Sequence, residues 1–546
     1  MIRNEASQRQ IDAADPGTST WLSANAGSGK TRVLTDRVAR LLLNKVSPQN
    51  ILCLTYTKAA ASEMQNRLFR RLGEWAMMPD GKLREALVDL GDTGTIDGPR
   101  LRQARTLFAR AIETPGGLKI QTIHSFCAGL LRRFPLESQV SPQFREMEDR
   151  EAQLLRAEVV DAMLLGPDAD AVRGMLAEFT GDDLSKFTAE IAKHREMFRE
   201  PLDIDALQRR LGLDPGTSVT AMRDEVWDKA LMRDFAAICA KGSTTDTKTA
   251  TRLGLLLTGD PSPHAILAGL EDIFLTGRNT KSPFTAKIST LPTKATREAH
   301  PDICASIADI MQRVEDIRPQ RLGLLARDRT RALYDFATRF VPAYEARKLA
   351  MGALDFDDLI GKARDLLTDR DVAAWVLFRL DGGIDHILVD EAQDTSPTQW
   401  AVIERLAQEF TAGIGARPDT TRTIFVVGDK KQSIYSFQGA DPDAFDEMRK
   451  HFENARKSLG QTLLPSVLEH SFRSAEPILS VVDACFTGSR AEGMDDRVSH
   501  IAFKENMPGR VDLWPLIEKA DDDDDRRWYD PVDQPGEKDH NVQMAG

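Results

Sequence analysis

The chain has 546 residues, of which 41% are hydrophobic and 29% are charged, proportions that are ordinary for a globular protein. No run of about 18 apolar residues occurs and no apolar segment lies near the start, so we expect a cytoplasmic protein without a membrane span. The five scattered cysteines form no C-x-x-C pair, which argues against a zinc ribbon, an iron–sulfur cluster or a disulfide framework. The net charge of −12 does not exclude a nucleic-acid partner, because a motor protein needs only a local basic groove.

Short apolar, β-branched runs recur along the chain, each followed by a turn and then by a helical pattern. Near-continuous apolar strands that alternate with helices predict a parallel α/β sheet covered on both faces. Ligands bind at the carboxyl ends of the strands in such sheets, and the chemical motifs described below all lie there. The runs are residues 20–24, 51–57, 118–123, 386–392 and 423–429.

The pattern changes between about 140 and 350, where helical spacing dominates and no comparable strand run appears. Within that stretch, the polar residues 242–264 predict an exposed connection. We predict an α/β domain in two parts (1–140 and 351–465), a mainly helical insertion (141–350), the start of a second α/β domain (466–515) and an acidic, disordered tail (516–546). The first clear strand of the second domain would be "RVDLWPL", residues 510–516.

The sequence "ANAGSGKT", residues 24–31, lies between the first strand and a helical pattern. It fits the phosphate-binding pattern G-x-x-x-x-G-K-[ST] at Gly29, Lys30 and Thr31, but Ala24 replaces the leading glycine and Gly27 is additional. Glycines permit close backbone approach, and a helix N-terminus favours an anion. The alternative is a Gly-rich βα turn, which the placement of Lys30 and Thr31 disfavours.

The sequence "LVDEAQD" puts Asp390 and Glu391 at the end of an apolar strand. A carboxylate at that position can hold the Mg²⁺ that accompanies nucleotide phosphates, and its neighbour can orient or deprotonate the attacking water. A lone Asp-Glu pair is usually a solvated turn. Together with an upstream phosphate-binding loop, it indicates a nucleoside triphosphatase.

Further strand-end loops carry candidate contacts to phosphates and to bases. In "FVVGDKKQSIYSFQGAD", the neutral Gln432 could sense the γ-phosphate, while Tyr435 and Phe437 could stack on bases or belong to the core. Arg473, beside Phe472 in "HSFRSAEPIL", is a candidate arginine finger or a surface ion-pair partner. Hydroxyls and other polar groups at helix starts suit phosphate contacts, and this set comprises Thr55, Tyr56, Thr57, Thr122, His124 and Ser125. A hydrolase dyad of His124 and Ser125 is disfavoured, because no G-x-S-x-G elbow surrounds it.

Taken in order, these stretches resemble the motifs of the UvrD/Rep-like superfamily 1 DNA helicases. "QIDAAD" from Gln10 is similar to the Q motif, "ANAGSGKT" to motif I, "TYTKAAASEM" to Ia and "TIHSFC" to Ib. "LVDEAQDTSPTQW" is similar to motif II, "VGDKKQSIYSFQGAD" to III and "SFRS" to IV. The residues within these motifs are most similar to those of the AddA-type helicase–nuclease subunits of double-strand-break repair complexes.

The resemblance implies a RecA-like P-loop NTPase domain with a large helical insertion and the beginning of a second RecA-like domain. Its cofactors would be ATP and Mg²⁺, with Mg²⁺ on Thr31 and Asp390. Glu391 would activate water, and Lys30, Gln432 and Arg473 would contact the phosphates. Nucleotide contacts would come from Gln10, Ala24, Asn25, Ala26, Gly27, Ser28, Gly29, Lys30, Thr31, Arg32 and Phe472, and contacts to the DNA strand from Thr55, Tyr56, Thr57, Thr122, His124, Ser125, Tyr435 and Phe437.

Two features depart from that pattern. Phe437-Gln438 stands where many relatives have an aromatic residue followed by arginine, and the chain ends before motifs V and VI and before a nuclease domain would occur. We therefore expect the N-terminal half of a longer protein.

Three hypotheses follow from the sequence. The first is an ATP-dependent 3′→5′ DNA helicase module for double-strand-break repair, whose partners would be DNA and an AddB-type subunit. The second is an incomplete ATP- and DNA-binding module that is active only with the remaining half or with a partner protein. The third, a P-loop kinase or switch GTPase, is disfavoured by Gln10 and by "DEAQD".

Overall fold

The computed structural model describes residues 5–514, apart from 93, 180–182, 370–371, 382, 409, 411–420, 434–440, 488–489, 491–499 and 505. The predicted tail at 516–546 lies outside the described residues. The chain divides into two compact units, unit 1 from residues 1–143 and 358–546, and unit 2 from residues 144–357.

The described residues form short strands together with helices of very different lengths. The strands are β1 (Ser19–Ala24), β2 (Ile51–Thr55), β3 (Lys119–Thr122), β4 (Arg145–Glu146), β5 (Ala353–Leu354), β6 (His386–Val389), β7 (Thr423–Gly428), β8 (Leu463–Leu468), β9 (His470–Ser471) and β10 (Ile501–Ala502). The α-helices are α1 (Glu5–Ala13), α2 (Lys30–Leu43), α3 (Lys58–Met77), α4 (Asp80–Leu90), α5 (Gly98–Ile112), α6 (Ile123–Arg133), α7 (Asp149–Leu165), α8 (Ala169–Glu178), α9 (Leu184–Lys193), α10 (Ile204–Arg210), α11 (Val219–Val226), α12 (Lys229–Cys239), α13 (Thr244–Thr258), α14 (Pro263–Phe274), α15 (Lys294–Ala299), α16 (Pro301–Ala350), α17 (Phe356–Thr368), α18 (Ala373–Asp381), α19 (Pro397–Gln408), α20 (Pro442–Lys457) and α21 (Glu476–Cys485). Short 3₁₀ turns occupy Pro48–Asn50, Arg195–Phe198, Ala392–Asp394 and Lys430–Gln432.

Unit 1 is built on a six-stranded parallel sheet with the order β3-β2-β6-β7-β1-β8. Helices cover both faces, since Leu22 belongs to the core formed with α2 and α3, whereas the neighbouring Trp21 stacks on Trp400 of α19 at 5.9 Å. Burial on both faces explains why these strands read as continuous apolar runs. The predicted parallel α/β fold is confirmed, and the five predicted runs supply β1, β2, β3, β6 and β7.

The edge strand β8 was not predicted from the sequence. It pairs with β1 through Leu22 and Ser466, so the predicted domain boundary at 465/466 falls inside it. The strand predicted at 510–516 was wrong over its described part, because residues 510–514 are irregular. Leu513 and Trp514 are 98% and 83% exposed, so these apolar side chains are not packed against an element of the described part of the chain.

Unit 2 is helical and contains two hydrophobic cores joined by one helix of 50 residues, α16. Ile307 and Leu324 of α16 belong to the core formed with α11–α14, whereas Phe336 and Phe340 belong to the core formed with α7–α9. In the described part of the chain no helix, α16 included, is both long enough and apolar enough to cross a membrane.

The exposed connection predicted at 242–264 was also wrong, because most of it is α13. Ser243 caps this helix in a reciprocal capping box with Asp246, which satisfies two backbone N–H groups at the helix start. Asp246 is fully buried and also accepts hydrogen bonds from Thr293 N at 2.9 Å and Thr296 Oγ1 at 2.9 Å. The Ser/Thr-rich composition resembles that of a loop, although these residues cap α13 and tie it to the start of α15 at Thr293 and Thr296.

Alanine in place of Asp246 is expected to destabilise the fold by about 3 kcal/mol, because it leaves several buried donors without an acceptor. Urea unfolding followed by circular dichroism measures the change. Asp260→Ala, at an exposed position just after the same helix, is the matched control and should stay within about 0.5 kcal/mol of the wild type. Equal stability of the two variants would contradict this role for Asp246.

Candidate nucleotide-binding site

The sequence from Ala24 to Thr31 begins with the last residue of β1, continues through the connecting loop, and ends with Lys30 and Thr31, which begin α2. Gly27 and Gly29 have φ angles of +74° and +89°, in the left-handed region that favours glycine. A Cβ atom on Gly27 would lie 2.7 Å from Cβ of Arg473, and the Gly27 carbonyl accepts a hydrogen bond from Phe472 N at 2.8 Å. The loop therefore packs directly against the segment that carries both predicted nucleotide contacts from motif IV.

Alanine in place of Gly27 is expected to weaken nucleotide binding about 10-fold, because the new methyl group displaces the Arg473 segment. Gly116→Ala is a matched control, since Gly116 has a similar φ of +78° but open space around its Cβ position. Both variants carry a backbone cost of roughly 1–2 kcal/mol, but only the first adds a clash. Fluorescence titration with a labelled ATP analogue compares them, and an equal loss of affinity in both would contradict the expectation.

Gln10 lies on α1, is 4% exposed, and its Nε2 donates a hydrogen bond to Ser28 O at 2.7 Å. Its Oε1 is buried and has no hydrogen-bond partner within the part of the chain that the structure describes. A small cleft beside it is lined by Ala6, Arg9, Gln10, Ser28, Leu468, Glu469, His470 and Phe472. Gln10 lines this cleft, and the unpaired acceptor of its side chain would suit an amino group, which adenine carries and which guanine replaces by a carbonyl at the same ring position.

Phe472 also lines this cleft, and its ring lies 4.2 Å from that of Phe503, centroid to centroid. An aromatic ring held by a second ring is a rigid stacking surface for a planar base. The sequence-predicted pair of Gln10 and Phe472, which are far apart in the chain, is therefore brought together at one cleft.

Lys30 and Glu391 form an ion pair with 3.0 Å between Nζ and Oε2. The same Glu391 oxygen accepts a hydrogen bond from Gln393 Nε2 at 2.9 Å, and Glu391 itself has a left-handed φ of +49°. A non-glycine residue in that conformation is uncommon and is often found where a side chain must take a particular position. Motifs I and II thus meet through these two side chains.

Asp390 follows β6 directly and is 9% exposed, and its amide donates to Leu54 O at 2.9 Å. Burial, and next the charge of Glu391, raise the pKa of Asp390 to about 7, with Lys30 opposing them. A buried carboxylate that is costly to ionise gains from a cation beside it. Mg²⁺ typically takes one or two carboxylates together with phosphates and water, so Asp390 and the Thr31 hydroxyl suit it without a larger acidic cluster.

Three polar residues that join the strand ends were not predicted from the sequence as part of the site. They are Gln393, Asp429 and Lys431. Gln393 accepts from Asp429 N at 2.9 Å while it donates to Glu391, and Lys431 Nζ donates to Asn25 Oδ1 at 2.6 Å. Gln432 in turn donates to the side chain of Asp429. The β6, β7 and β1 loops are therefore tied into one network, and only the closeness of Gln393 to "DE" in the sequence could have signalled it.

The predicted DNA contacts lie at the ends of the neighbouring strands β2 and β3, where Thr55 pairs with Thr122. The hydroxyls of Thr57 and Thr122 cap α3 and α6 by accepting from Ala60 N and Ser125 N. Thr55 Oγ1 donates to the Thr57 carbonyl, and Thr122 and Ser125 share a hydroxyl contact of 3.0 Å. These hydroxyls stabilise helix starts, while the half-buried Tyr56 and His124 stand beside them.

The two aromatic residues of motif III, Tyr435 and Phe437, lie outside the described residues. Arg473 is exposed and adjoins the Gly27 loop. Since β6, β7, β1 and β8 are consecutive in the sheet, the predicted nucleotide residues gather at one half of its carboxyl edge. The predicted DNA residues that follow β2 and β3 lie at the other half.

The sheet, the loop at 24–31 and the strand-end carboxylates define a P-loop nucleoside triphosphatase domain. The profile of the UvrD/REP helicase N-terminal domain matches residues 4–453, and the chain belongs to this helicase family. The resemblance stated from the motifs is thereby confirmed.

Three similar proteins are each named as the A subunit of an ATP-dependent helicase/nuclease. The protein from Levilactobacillus brevis is 28% identical over 501 residues, which cover 85% of this chain and 36% of the relative. Those from Enterococcus faecalis and Desulforudis audaxviator are 25% and 27% identical, over 89% and 85% of this chain and 38% of each relative. The chain thus spans less than two fifths of the length of these relatives.

Proposed function

We propose that this chain is the ATP-driven motor part of a DNA helicase that translocates 3′→5′ in double-strand-break repair. The observation that carries the proposal is the ion pair that joins Lys30, at the end of the 24–31 loop, to Glu391, with 3.0 Å between Nζ and Oε2. The family match and the name of the relatives support a helicase, and polarity and pathway follow only from the resemblance. A protein that resembles AddB is the proposed partner.

Different residues of the site would bind the base, the phosphates and the Mg²⁺ of MgATP. Gln10 Oε1 would accept from the base and Phe472 would stack on it, while the N–H groups of the 24–31 loop would hold the phosphates. Lys30 would exchange its bond to Glu391 for phosphate oxygens, and Asp390 with Thr31 would hold Mg²⁺, which neutralises the phosphate charge when bound.

The exchange of partners gives Glu391 its proposed catalytic role. Once Lys30 has turned to the phosphates, Glu391 would remain fixed by Gln393 and accept a proton from water. Gln432 and Arg473 would contact the γ-phosphate. Tyr56 and His124 at the β2–β3 half of the edge, together with Tyr435 and Phe437, would contact the strand.

DNA-stimulated ATP hydrolysis by this chain tests the proposal. Turnover that rises with single-stranded DNA and is lost in Lys30→Ala supports the motor. ATP and DNA binding without turnover supports the second candidate, an ATP- and DNA-binding module that is active only together with further chain or a partner protein. Failure to bind ATP in a manner that depends on Lys30 overturns both.

A further inference from the structure

Two buried arginines on α2, the helix that begins with Lys30 and Thr31, contact the region around α1, the helix that carries Gln10. Arg37 and Arg40 are 0% and 7% exposed. We propose that Arg40 is a positioning residue for base recognition, which fixes α1, and with it Gln10, to the phosphate-binding helix. The inference rests on the proposed function, since it presupposes that the cleft beside Gln10 binds the base.

The contacts of Arg40 are directed at the end of α1. Its Nη1 donates to the Ile11 carbonyl at 2.7 Å, and its Nη2 lies 3.6 Å from Asp15 Oδ1. The carbonyls in the last turn of a helix lack intrahelical donors, and an arginine there satisfies one of them and interacts favourably with the helix dipole. Ile11 directly follows Gln10, so this bond restrains the backbone next to the proposed base-reading residue.

Arg37 makes further contacts between α2 and the chain that follows α1. It donates to the carbonyls of Asp15 and Thr18 and to Thr423 Oγ1 at 3.0 Å, and its guanidinium lies 4.8 Å from the centroid of the Phe425 ring. Because Arg37 also contacts Thr423 and Phe425 of β7, its loss would disturb that strand as well as α1. The hydrogen bond and ion pair of Arg40 are made to Ile11 and Asp15 instead, so Arg40 is the better residue for a test.

Little space is left for α1 to shift. On one side, a Cβ atom at Gly91 would lie 2.3 Å from Ile11 Cγ2 and 3.5 Å from Arg40 Nη1. On the other, a Cβ atom at Gly29 would lie 2.7 Å from Gln10 Nε2. Since the Gln10 amide is in close contact with the phosphate loop, a movement of α1 by a fraction of an ångström changes the position of Oε1.

One helix, α2, thus carries residues that would bind the phosphates and a residue that positions Gln10 for the base. The first turn of α2 supplies Lys30 and Thr31 for the phosphates, and its last turn supplies Arg40, which holds the reader of the base. The distance between the base-reading and phosphate-binding groups is set by α2 itself. The hydrogen bond and the ion pair of Arg40 are made to Ile11 and Asp15. We therefore expect its loss to affect discrimination between bases more than the contacts of Lys30 and Thr31 with the phosphates.

The test compares the affinities of ATP, GTP and inorganic triphosphate by competition against a fluorescent ATP analogue. In Gln10→Ala we expect the preference for ATP over GTP to fall about 10-fold, because the variant loses one hydrogen bond to the base and a hydrogen bond contributes about this much to binding. In Arg40→Met we expect a fall of about fivefold with unchanged affinity for triphosphate, which has no base. The double variant should show little more than Gln10→Ala alone, because both changes remove one interaction.

Arg105→Met is the matched control. Arg105 donates to the carbonyl of Met78 at the end of α3, at 2.8 Å, and pairs with Asp80, on elements other than α1. It should leave the ATP/GTP ratio unchanged. Arg40→Lys keeps the buried charge, supplies the comparison where Arg40→Met does not fold, and should retain part of the preference.

The outcomes separate the inference from the proposed function. If the wild type shows no ATP binding that depends on Lys30, the proposed function fails. If Gln10→Ala loses the ATP preference but Arg40→Met and Arg40→Lys both keep the full wild-type preference, the positioning role alone is overturned. The same conclusion follows if Arg40→Met lowers the affinity for triphosphate as much as the affinity for ATP. A wild type that binds ATP and GTP equally also overturns it.

Discussion

Methionine in place of Lys30 is expected to abolish useful binding of MgATP by this chain. The Lys30 side chain is 11% exposed, and it stands in the first turn of α2 behind the two left-handed glycines. A hydrogen bond between charged groups in such a place contributes roughly 1.5–3 kcal/mol, so the affinity should fall about 100-fold. Isothermal titration of MgATP into the wild type and the variant measures the loss.

Methionine keeps the length and helix propensity of lysine, so the variant should fold like the wild type. Lys82→Met, at an exposed position on α4, removes the same charge away from the site and serves as the control. An affinity for MgATP that falls equally in both variants, or in neither, would show that the loop at 24–31 does not bind the triphosphate.

Glutamine in place of Glu391 is expected to separate ATP binding from ATP hydrolysis. Glutamine cannot accept a proton from water, and loss of a general base typically lowers turnover by about 10²–10⁴-fold. The same change releases Lys30 from its ion pair and removes a negative charge near the incoming phosphates. We therefore expect the affinity for MgATP to rise about two- to fivefold, the value of a partly exposed salt bridge.

Titration calorimetry reports the affinity, and phosphate release in the presence of single-stranded DNA reports the turnover. Glu85→Gln, at an exposed position on α4, is the matched control and should change neither quantity. A Glu391→Gln protein that hydrolyses ATP at the wild-type rate would remove Glu391 from the proposed mechanism. One with weaker ATP binding would contradict the competition between Glu391 and phosphate for Lys30.

The parts of the fold that could be predicted from the sequence are those that leave a pattern in a short stretch of neighbouring residues. Strands β1 and β7 are buried on both faces, so their apolar runs are continuous, and the glycines of the 24–31 loop require left-handed angles that other residues rarely adopt. Asp390 and Glu391 were recognisable because a carboxylate pair directly follows such a strand. The site's principal residues follow from these short-range patterns.

The remainder depends on neighbours that are distant in the chain. Strand β8 contains Pro465 and exposed Leu464 and Val467, as suits the edge of a sheet, so no continuous apolar pattern indicates it. The bond of Gln393 to Asp429 and that of Arg40 to Ile11 join separate elements, and sequence spacing does not encode them. The polar residues around Ser243 were misread because capping residues and loop residues have the same composition.

The helix α16 has a consequence for how unit 2 comes apart. Its 50 residues correspond to a rise of about 75 Å along the helix axis at 1.5 Å per residue, and Pro319 and Pro342 lie inside it. Each hydrophobic core uses a different part of this helix as one of its walls. A helix of this length is stabilised mainly by the surfaces packed against it and not by its own propensity. We therefore expect melting of either core to expose the part of α16 that it covers and to weaken the support of the other core, so that the two cores unfold together.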